Sequence, residues 1–324
     1  MFSGIDSVAT PGLWIATVGG VIALLVVDFI VTRRPHEVRL KEAIGWSVFY
    51  IALPLAFTGY VWWQFGSQHG MEYLTGYVVE KSLSVDNLFV FMLLLTAFAV
   101  PKELQQRVLL YGIVGALLMR AVFIALGAAL ARFDWAFLLF GLILVLSAVK
   151  VLRDATSERH QVVDVDKLRS VRLLRRFVPV TPDYRGPALL TRMDGRRAVT
   201  PFAVVVFAVL TTDVVFAVDS VPAVYGITGD PYLVFVTNAF ALLGLRALYF
   251  VLHNALNKLV HLNYGLALIL AFIGVKLALH WAHLHWPAVP EIPTLASLGV
   301  IAGILAVTIA TSLRAERRQL VGTR

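Results

Sequence analysis

The sequence predicts an all-α polytopic membrane protein with about nine transmembrane helices. Of its 324 residues, 59% are hydrophobic and only 15% are charged, and the mean hydropathy is strongly positive at +0.80. Soluble domains are roughly half apolar and one quarter charged, so the composition excludes both a water-soluble enzyme and a disordered chain. The chain contains no cysteine, which excludes disulfide bonds, thiolate metal ligands and dithiol redox chemistry.

Nine apolar stretches are long enough to cross the hydrocarbon core of a bilayer, which needs about 20 residues per helix. Each should be helical because lipid offers no hydrogen-bond partner to an open backbone. The predicted spans cover residues 11–32, 44–65, 74–99, 107–131, 135–152, 200–226, 231–256, 259–280 and 294–313. We therefore expect residues 1–324 to form a single transmembrane domain, with one sizeable soluble segment, the basic loop 153–199.

The basic residues between the spans predict the orientation of the chain. Twenty-two Lys and Arg residues fall in segments on one side of the membrane, and one falls on the other side. Because basic loops stay in the cytoplasm, we expect the N-terminus outside and the C-terminus in the cytoplasm. The loop 153–199, with eleven basic and six acidic residues, is interpreted as a tether to anionic lipid headgroups. No nucleic-acid-binding module is recognisable in it, so we expect no nucleic-acid partner.

An internal repeat organises six of the predicted spans. Residues 80–87 and 213–220 both place an acidic residue, five intervening residues, a second acid and a small polar residue. Two further pairs of segments match in the same order: 116–121 with 242–247, and 142–150 with 268–276. Each unit, 74–152 or 200–280, has three spans, so the second unit must be inverted in the membrane. Many secondary transporters follow this plan, with the substrate site near the midplane between the repeats.

The charged residues inside the predicted spans are the candidate functional residues, because each costs several kcal/mol to bury in lipid. Each copy of the motif contributes two acids, and two arginines occupy matched positions of the repeat. A cation or proton pathway is one interpretation; the alternative is that the basic residues only neutralise the acids and hold helices together. The acids are Glu80, Asp86, Asp213 and Asp219, and the charge-balancing residues are Arg120, Arg246 and Lys81.

Helix geometry constrains how the acids of one motif can meet. A separation of six residues rotates a side chain by about 240° on a straight helix, so the two acids do not share a face. Glu80, Ser84 and Asn87 are expected on one face of their helix. In the second copy Pro222 removes a backbone donor, which predicts a kinked or interrupted helix near 216–222.

The donor types predict the kind of cation. Carboxylate, amide and hydroxyl oxygens without sulfur suit Mg²⁺, Ca²⁺ or Mn²⁺, and the spacing does not separate these three ions. His280, His283 and His285 cluster at the end of the eighth span, where they fit an interfacial polar group better than a metal site. No nucleophile elbow, phosphate loop or zinc-protease motif is present, so we expect neither an enzyme nor a tightly bound cofactor.

The two acidic motifs resemble the signature segments of the TerC family of integral membrane proteins. The matching segments are residues 80–91 and 213–223. The resemblance continues through 230–238 and 243–250, and 36–43 is similar to the Alx branch of that family. It covers nearly the whole chain and is weakest in the basic loop and at both ends.

This resemblance implies a place in the wider LysE-like transporter group and a role in exporting Mn²⁺ across the bacterial cytoplasmic (inner) membrane. In the family, the intramembrane acids are taken to carry the metal, which is a transported substrate. The corresponding positions here are Glu80, Asp86, Asp213 and Asp219, with Asn87 and Ser220 as neighbouring oxygen donors.

Two other functions stay open at this point. One is a membrane factor that assists the metallation or assembly of secreted proteins without transporting anything, which would require a membrane or secreted metalloprotein as partner. The other is a membrane-bound redox or stress modulator, although a chain without cysteine has little means of carrying electrons. All three functions place the protein in the lipid bilayer.

Overall fold

The computed structural model of the protein describes residues 7–31, 40–156, 171, 178–181, 183–184, 186–193, 196–252 and 261–322. The helices of this part are α1 Pro11–Val31, α2 Leu40–Phe65, α3 Ser67–Ala97, α4 Lys102–Leu130, α5 Asp134–Thr156, α6 Pro201–Tyr225, α7 Pro231–Leu243, α8 Leu245–Leu252, α9 Leu262–His285 and α10 Thr294–Gly322. A short antiparallel hairpin, β1 Leu190–Met193 and β2 Arg196–Val199, leads into α6 and pairs Leu190 with Val199.

The predicted all-α polytopic membrane fold is confirmed. Within the described residues, eight helical segments are long and apolar enough to cross a membrane by length and composition, α7 and α8 counting together as Pro231–Val251. The third predicted span, 74–99, lies in α3, which is not among these eight. The 31 residues of α3 give a helix of about 46 Å, long enough to cross, but it carries several charged residues.

The charges of α3 are tolerated because this helix occupies the middle of the bundle. It contacts α2, α6, α7 and α10, so its sides face protein. Charged residues in a membrane are found facing a bundle interior for the same reason, since lipid cannot solvate them. By contrast, α1 and α10 are mostly exposed along their lengths and pack at the periphery.

α3 and α6 run in opposite directions. The beginning of α3, at Ser67 and His69, lines the same cavity as the end of α6, at Tyr225. At the other end, Phe98 after α3 packs against Val204 in the first turns of α6. The two acidic motifs, one in each helix, are therefore antiparallel to each other.

The starts of α6 and α7 follow from capping residues in the sequence. The Thr200 hydroxyl accepts a hydrogen bond from the Ala203 N–H, and Asp230 accepts from the N–H groups of Tyr232 and Leu233. A proline follows each capping residue, at the first helical position, where its missing N–H costs nothing. Asp230 also accepts from the backbone N–H of Val8, at 2.6 Å, which ties the segment before α1 to the start of α7.

The sixth span is not interrupted near 216–222, whereas a kink there stays a prediction. α6 is continuous across residues 216–222 and ends at Tyr225, so Pro222 lies in its last turn. Proline has no backbone N–H to donate to the preceding turn. Because Pro222 is followed by only a few helical residues, this missing hydrogen bond does not end the helix before Tyr225. The break lies in the next span instead, at Gly244 between α7 and α8.

Gly244 allows a close approach of three elements at this break. A Cβ atom there would lie 2.8 Å from the Lys81 Nζ and 3.0 Å from the Cβ of Tyr50. Lys81 in turn donates to the carbonyl oxygen of Ala241, at 3.4 Å, near the end of α7. A cation is favourable at a helix C-terminus, so Lys81 stabilises the end of the first segment of the broken span.

Several predictions stay open. The inverted relation of the repeats and the sides of the membrane stay predictions. Most of the basic loop 153–199 lies outside the described residues, as do 253–260, which fall where two predicted spans meet. The basic segment 32–39 also lies outside them.

A close approach of two helix backbones, at α5 and α9, gives a stability prediction. A Cβ on Gly274 would lie 2.9 Å from the carbonyl oxygen of Gly141, and a Cβ on Gly141 would lie 2.8 Å from that of Gly274. Because the opposing atoms belong to the backbone, they cannot move cheaply, and small residues are what lets membrane helices approach this closely. Gly274→Ala should therefore lower the free energy of unfolding by about 1–3 kcal/mol.

Gly303→Ala is the matched control, because nothing lies within 4 Å of a Cβ at that position of α10. Thermal melting of the two purified variants in the same detergent measures the difference. Equal melting temperatures for Gly274→Ala and Gly303→Ala would contradict the close packing of α5 on α9.

Candidate ion-binding site

A buried charge cluster joins the two acidic motifs around Arg120 of α4. The guanidinium donates to the Glu80 carboxylate on α3, and to the amide oxygen of Asn238 on α7 at 2.7 Å. Its other terminal nitrogen lies 3.5 Å from a carboxylate oxygen of Asp213 on α6. All four side chains are at most 1% exposed. The first acids of the two motif copies therefore share one guanidinium in the interior of the bundle.

The orientation of each partner follows from its helix. Glu80, Ser84 and Asn87 are buried on α3, as expected for residues on one face, whereas Asp86 is only partly buried. On α7 the amide nitrogen of Asn238 donates to the Val234 carbonyl oxygen, at 2.9 Å, so its oxygen is turned toward Arg120.

The cluster is incompletely hydrogen-bonded. Among the described residues, the second carboxylate oxygens of Glu80 and Asp213 and the Nε of Arg120 have no hydrogen-bond partner. Side chains with an unpartnered buried polar atom also occur nearby along the same helices: Ser84, Asn87, Ser220 and Thr237. The unpartnered atom of Asn87 is its amide nitrogen, and the others on these helices are oxygens. Because buried polar groups are nearly always satisfied, the oxygens are suited to binding an ion or water.

The second acids of the motifs lie on opposite sides of the Arg120 cluster. Asp86 is six residues beyond Glu80 along α3, and Asp219 is six residues beyond Asp213 along α6, about 9 Å in each case. Since the two helices are antiparallel, Asp86 is displaced toward one end of the bundle and Asp219 toward the end with the cavity.

The six predicted ligands therefore do not surround one point in this conformation. In the described part of the chain, no group of three His, Asp or Glu side chains is close enough to hold a metal ion. The arrangement is a central pair, Glu80 and Asp213, with one partly exposed carboxylate, Asp86 or Asp219, on either side.

The other two predicted charge-balancing residues lie elsewhere. Arg246 on α8 pairs with Asp28 of α1 and donates to the side-chain oxygen of Gln106, at 3.1 Å, so it forms a second buried cluster. Lys81 contacts the end of α7 as described above. Among the contacts that the described residues make, neither joins the motif acids.

Sequence reasoning missed Asn238, Asp28 and Gln106 as partners of the buried arginines. Asn238 and Asp28 were visible as polar residues within predicted spans, which is the signal that could have found them. Their pairing could not be anticipated because the partners are far apart in the chain, 118 residues for Arg120 with Asn238 and 218 for Arg246 with Asp28.

A cavity of about 1300 Å³ opens at the end of the bundle where α3 begins and α6 ends. Glu72 lines it, and its carboxylate accepts from the Thr228 hydroxyl at 3.0 Å and lies 3.2 Å from His69. Glu72 is eight residues before Glu80 on α3, about 12 Å along the helix axis. The cavity therefore approaches the charge cluster from the side on which Asp219 lies.

The cavity and the cluster are separated by a close contact at Gly76. A Cβ on this residue of α3 would lie 3.4 Å from side-chain carbons of both Thr237 and Val224. These three residues are buried, Glu80 and Asp213 are at most 1% exposed, and neither acid lines the cavity, so the cluster is closed to the cavity in this conformation.

The three histidines at the end of α9 do not converge on one point. His280 pairs with Glu291 across the cavity rim, His283 lies 2.6 Å from the Val289 carbonyl oxygen, and His285 lies 3.0 Å from that of Trp281. This arrangement fits the interfacial interpretation.

Comparison with known proteins places the chain among bacterial membrane proteins. The family profile described as "Integral membrane protein TerC family" matches residues 65–320. An "Uncharacterized membrane protein STKORF319" of Myxococcus xanthus is 40% identical over 96% of this chain and 95% of its own length. The "Putative membrane-bound redox modulator Alx" of Escherichia coli (strain K12) is 38% identical over 94% of both chains. No solved structure matches.

The placement of Asp86 and Asp219 can be tested by labelling, because an introduced cysteine is the only thiol in this chain. In sealed vesicles of known orientation, Asp219→Cys should react with a membrane-impermeant thiol reagent from one side only, and Asp86→Cys from the opposite side only. The reason is that the two positions lie on opposite sides of the buried cluster. Ala223→Cys is the control that should stay unlabelled, since Ala223 is fully buried on α6. Labelling of both positions from the same side would contradict the arrangement.

Proposed function

Because this chain belongs to the TerC family of integral membrane proteins, we propose that it is a secondary transporter that exports a divalent cation, Mn²⁺, across the bacterial cytoplasmic membrane. The observation that carries the proposal is the meeting of Glu80 and Asp213 at one guanidinium in the buried centre of the bundle. Each acid is the first of its motif copy, so both repeats contribute to one central site. Intramembrane acids that face a bundle interior mark ion pathways.

The placement of the four acids gives three successive cation-binding positions, called stations below. A cation enters past Asp86, binds between Glu80 and Asp213, and leaves past Asp219 into the cavity lined by Glu72. At each station carboxylate oxygens replace part of the hydration shell of the ion, as oxygen ligands do for hard divalent cations. Protonation of a carboxylate after release couples export to inward proton flow.

Alternating access supplies the movement. The contact of Gly76 with Thr237 and Val224 closes the cavity side of the central site in this conformation. Opening that side requires α3 to separate from α6 and α7, the helices that carry the other half of the site. Rocking of one repeat against the other around a fixed site is the usual mechanism of inverted-repeat transporters.

The donor atoms and the family resemblance together favour Mn²⁺ as the transported cation. The donors are oxygen atoms of carboxylates, amides and hydroxyls, which suit Mn²⁺, Mg²⁺ and Ca²⁺. The likeness of residues 80–91 and 213–223 to TerC motifs then favours Mn²⁺ among the three.

A second candidate function comes from the relatives named "Putative membrane-bound redox modulator Alx". Thiol–disulfide exchange requires cysteine, and this chain has none, so a redox role here would act without thiol chemistry. It could act through the supply of a metal to redox enzymes, which the transport proposal already includes. A membrane factor that metallates secreted proteins without transport instead predicts a stable partner complex and no flux from the purified protein.

Flux measurements on purified protein test the transport proposal. Proteoliposomes loaded with a Mn²⁺-sensitive dye should show Mn²⁺ uptake with wild-type protein, and Glu80→Gln and Asp213→Asn should reduce the rate to that of protein-free liposomes. The physical reason is that each substitution removes a charged ligand from the central site while nearly preserving its shape.

Asp134→Asn is the matched control for these variants. Asp134 is an exposed acid in the first turn of α5, so its substitution should leave the flux unchanged. Wild-type flux that survives in both site variants would refute the assignment of the site, and absence of flux from well-folded wild-type protein would refute transport.

A further inference from the structure

We infer that Arg120 is an internal competitor of the transported cation. In this structure its guanidinium occupies the position between Glu80 and Asp213 that the cargo must take. Loading therefore requires the guanidinium to withdraw, and release allows it to return. This inference rests on the proposed function, because it concerns how the same central site is loaded and emptied.

Charge balance makes simultaneous occupancy unfavourable. Glu80 and Asp213 bring two negative charges when ionised, and Arg120 brings one positive charge. A divalent cation added to these three groups would place two cationic centres beside one another in a region that excludes water. Coulomb repulsion is strong there because the effective dielectric constant is low. The cation and the guanidinium must therefore take turns at the carboxylates.

The contacts of Arg120 with Glu80 and with Asp213 differ in a way that suits withdrawal of the guanidinium. The guanidinium donates to Glu80, and its other terminal nitrogen lies 3.5 Å from Asp213, the upper limit of a hydrogen bond. Each of the two carboxylates keeps one oxygen without a partner in the described structure. A cation can therefore begin to bind these free oxygens before the guanidinium has left.

Asn238 provides a place for the guanidinium when the carboxylates bind the cation. Its amide oxygen accepts from Arg120 at 2.7 Å, and its amide nitrogen is fixed by the carbonyl oxygen of Val234. This acceptor carries no charge, so it does not attract the cargo as a third carboxylate would. Asn238 thus acts as a positioning residue that retains Arg120 near the site without competing for the metal.

The buried cluster around Arg246 is the contrasting case within the same protein. Asp28 pairs with this guanidinium, and Gln106 accepts from it as well. Among the described residues, the Nε of Arg246 lacks a partner, as that of Arg120 does, but no oxygen of Asp28 is among the buried unpartnered atoms. Buried ion pairs without free carboxylate oxygens fix packing and resist exchange. Arg246 is therefore a structural arginine and serves as the control for Arg120.

The return of Arg120 also explains how an empty carrier can change conformation. Two bare carboxylates in the membrane interior would be costly, since an unpaired buried charge costs several kcal/mol. With the guanidinium between them, the empty site carries a smaller net charge and can reorient. Without the guanidinium, the protein should bind the cation well, but its cation-free form should change conformation slowly.

The test separates binding from turnover. Binding of Mn²⁺ to detergent-solubilised protein is measured by the loss of the electron paramagnetic resonance signal of free Mn²⁺, and net Mn²⁺ flux is measured in proteoliposomes. Arg120→Gln should bind Mn²⁺ more tightly than wild type, on the order of tenfold, while its net flux falls. Arg120→Lys should show a smaller gain in affinity, because its ammonium keeps the charge but bonds the two carboxylates less well.

Arg246→Gln is the control. It should lower the melting temperature, but the protein that remains folded should bind Mn²⁺ no more tightly than wild type. If Arg120→Gln does not fold, Arg120→Lys carries the test, since it retains the positive charge. Wild-type flux together with unchanged or weaker Mn²⁺ binding in the folded Arg120 variants would overturn the competition while leaving transport intact. Absence of wild-type flux would instead refute the proposed function.

Discussion

The ion pairs of Arg120 are the interaction on which the rest of the structure depends. One guanidinium on α4 connects Glu80 on α3, Asp213 on α6 and Asn238 on α7, so four helices converge at a single side chain that is 1% exposed. Charges at this depth are tolerated only when they face one another, because neither lipid nor bulk water can solvate them. The requirement explains why α3, which carries Glu80, Lys81 and Asp86 in its middle, is packed against helices on several sides.

The same constraint separates structural from functional charge in this protein. Arg246 and Asp28 form a buried pair that joins the peripheral α1 to α8, and among the described residues no oxygen of Asp28 is a buried atom without a partner. The Arg120 cluster, by contrast, leaves an unpartnered oxygen on each of its carboxylates. Incomplete bonding is costly in a buried network, and sites that must exchange ligands are where that cost is found. The distinction depends on whether each carboxylate oxygen has a hydrogen-bond partner, and residue types alone do not reveal this.

The antiparallel course of α3 and α6 decides how the two copies of the motif are placed relative to each other. The first acids, Glu80 and Asp213, meet at the centre, and the second acids, Asp86 and Asp219, are displaced in opposite directions by about 9 Å each. The cavity at Glu72 adjoins one end of this series. The acids are thus spread along the bundle rather than gathered around one point, an arrangement that agrees with the proposed passage of an ion.

The sequence by itself determined the membrane class, the positions of the spans and the identity of the acids at the centre. These are local properties, because hydropathy and the acid spacing can be read within one segment. It misplaced the helix break, since Pro222 lies too near the end of α6 to interrupt it, whereas Gly244 is needed where Lys81 and Tyr50 approach. Only the tertiary structure decided which arginine forms an ion pair with which acid. Arg120 and Arg246 occupy matched positions in the sequence repeat, yet Arg120 bonds Glu80 of the preceding helix and Asn238 of the distant α7, whereas Arg246 bonds Asp28 of the distant α1. Packing between the helices selects these pairs.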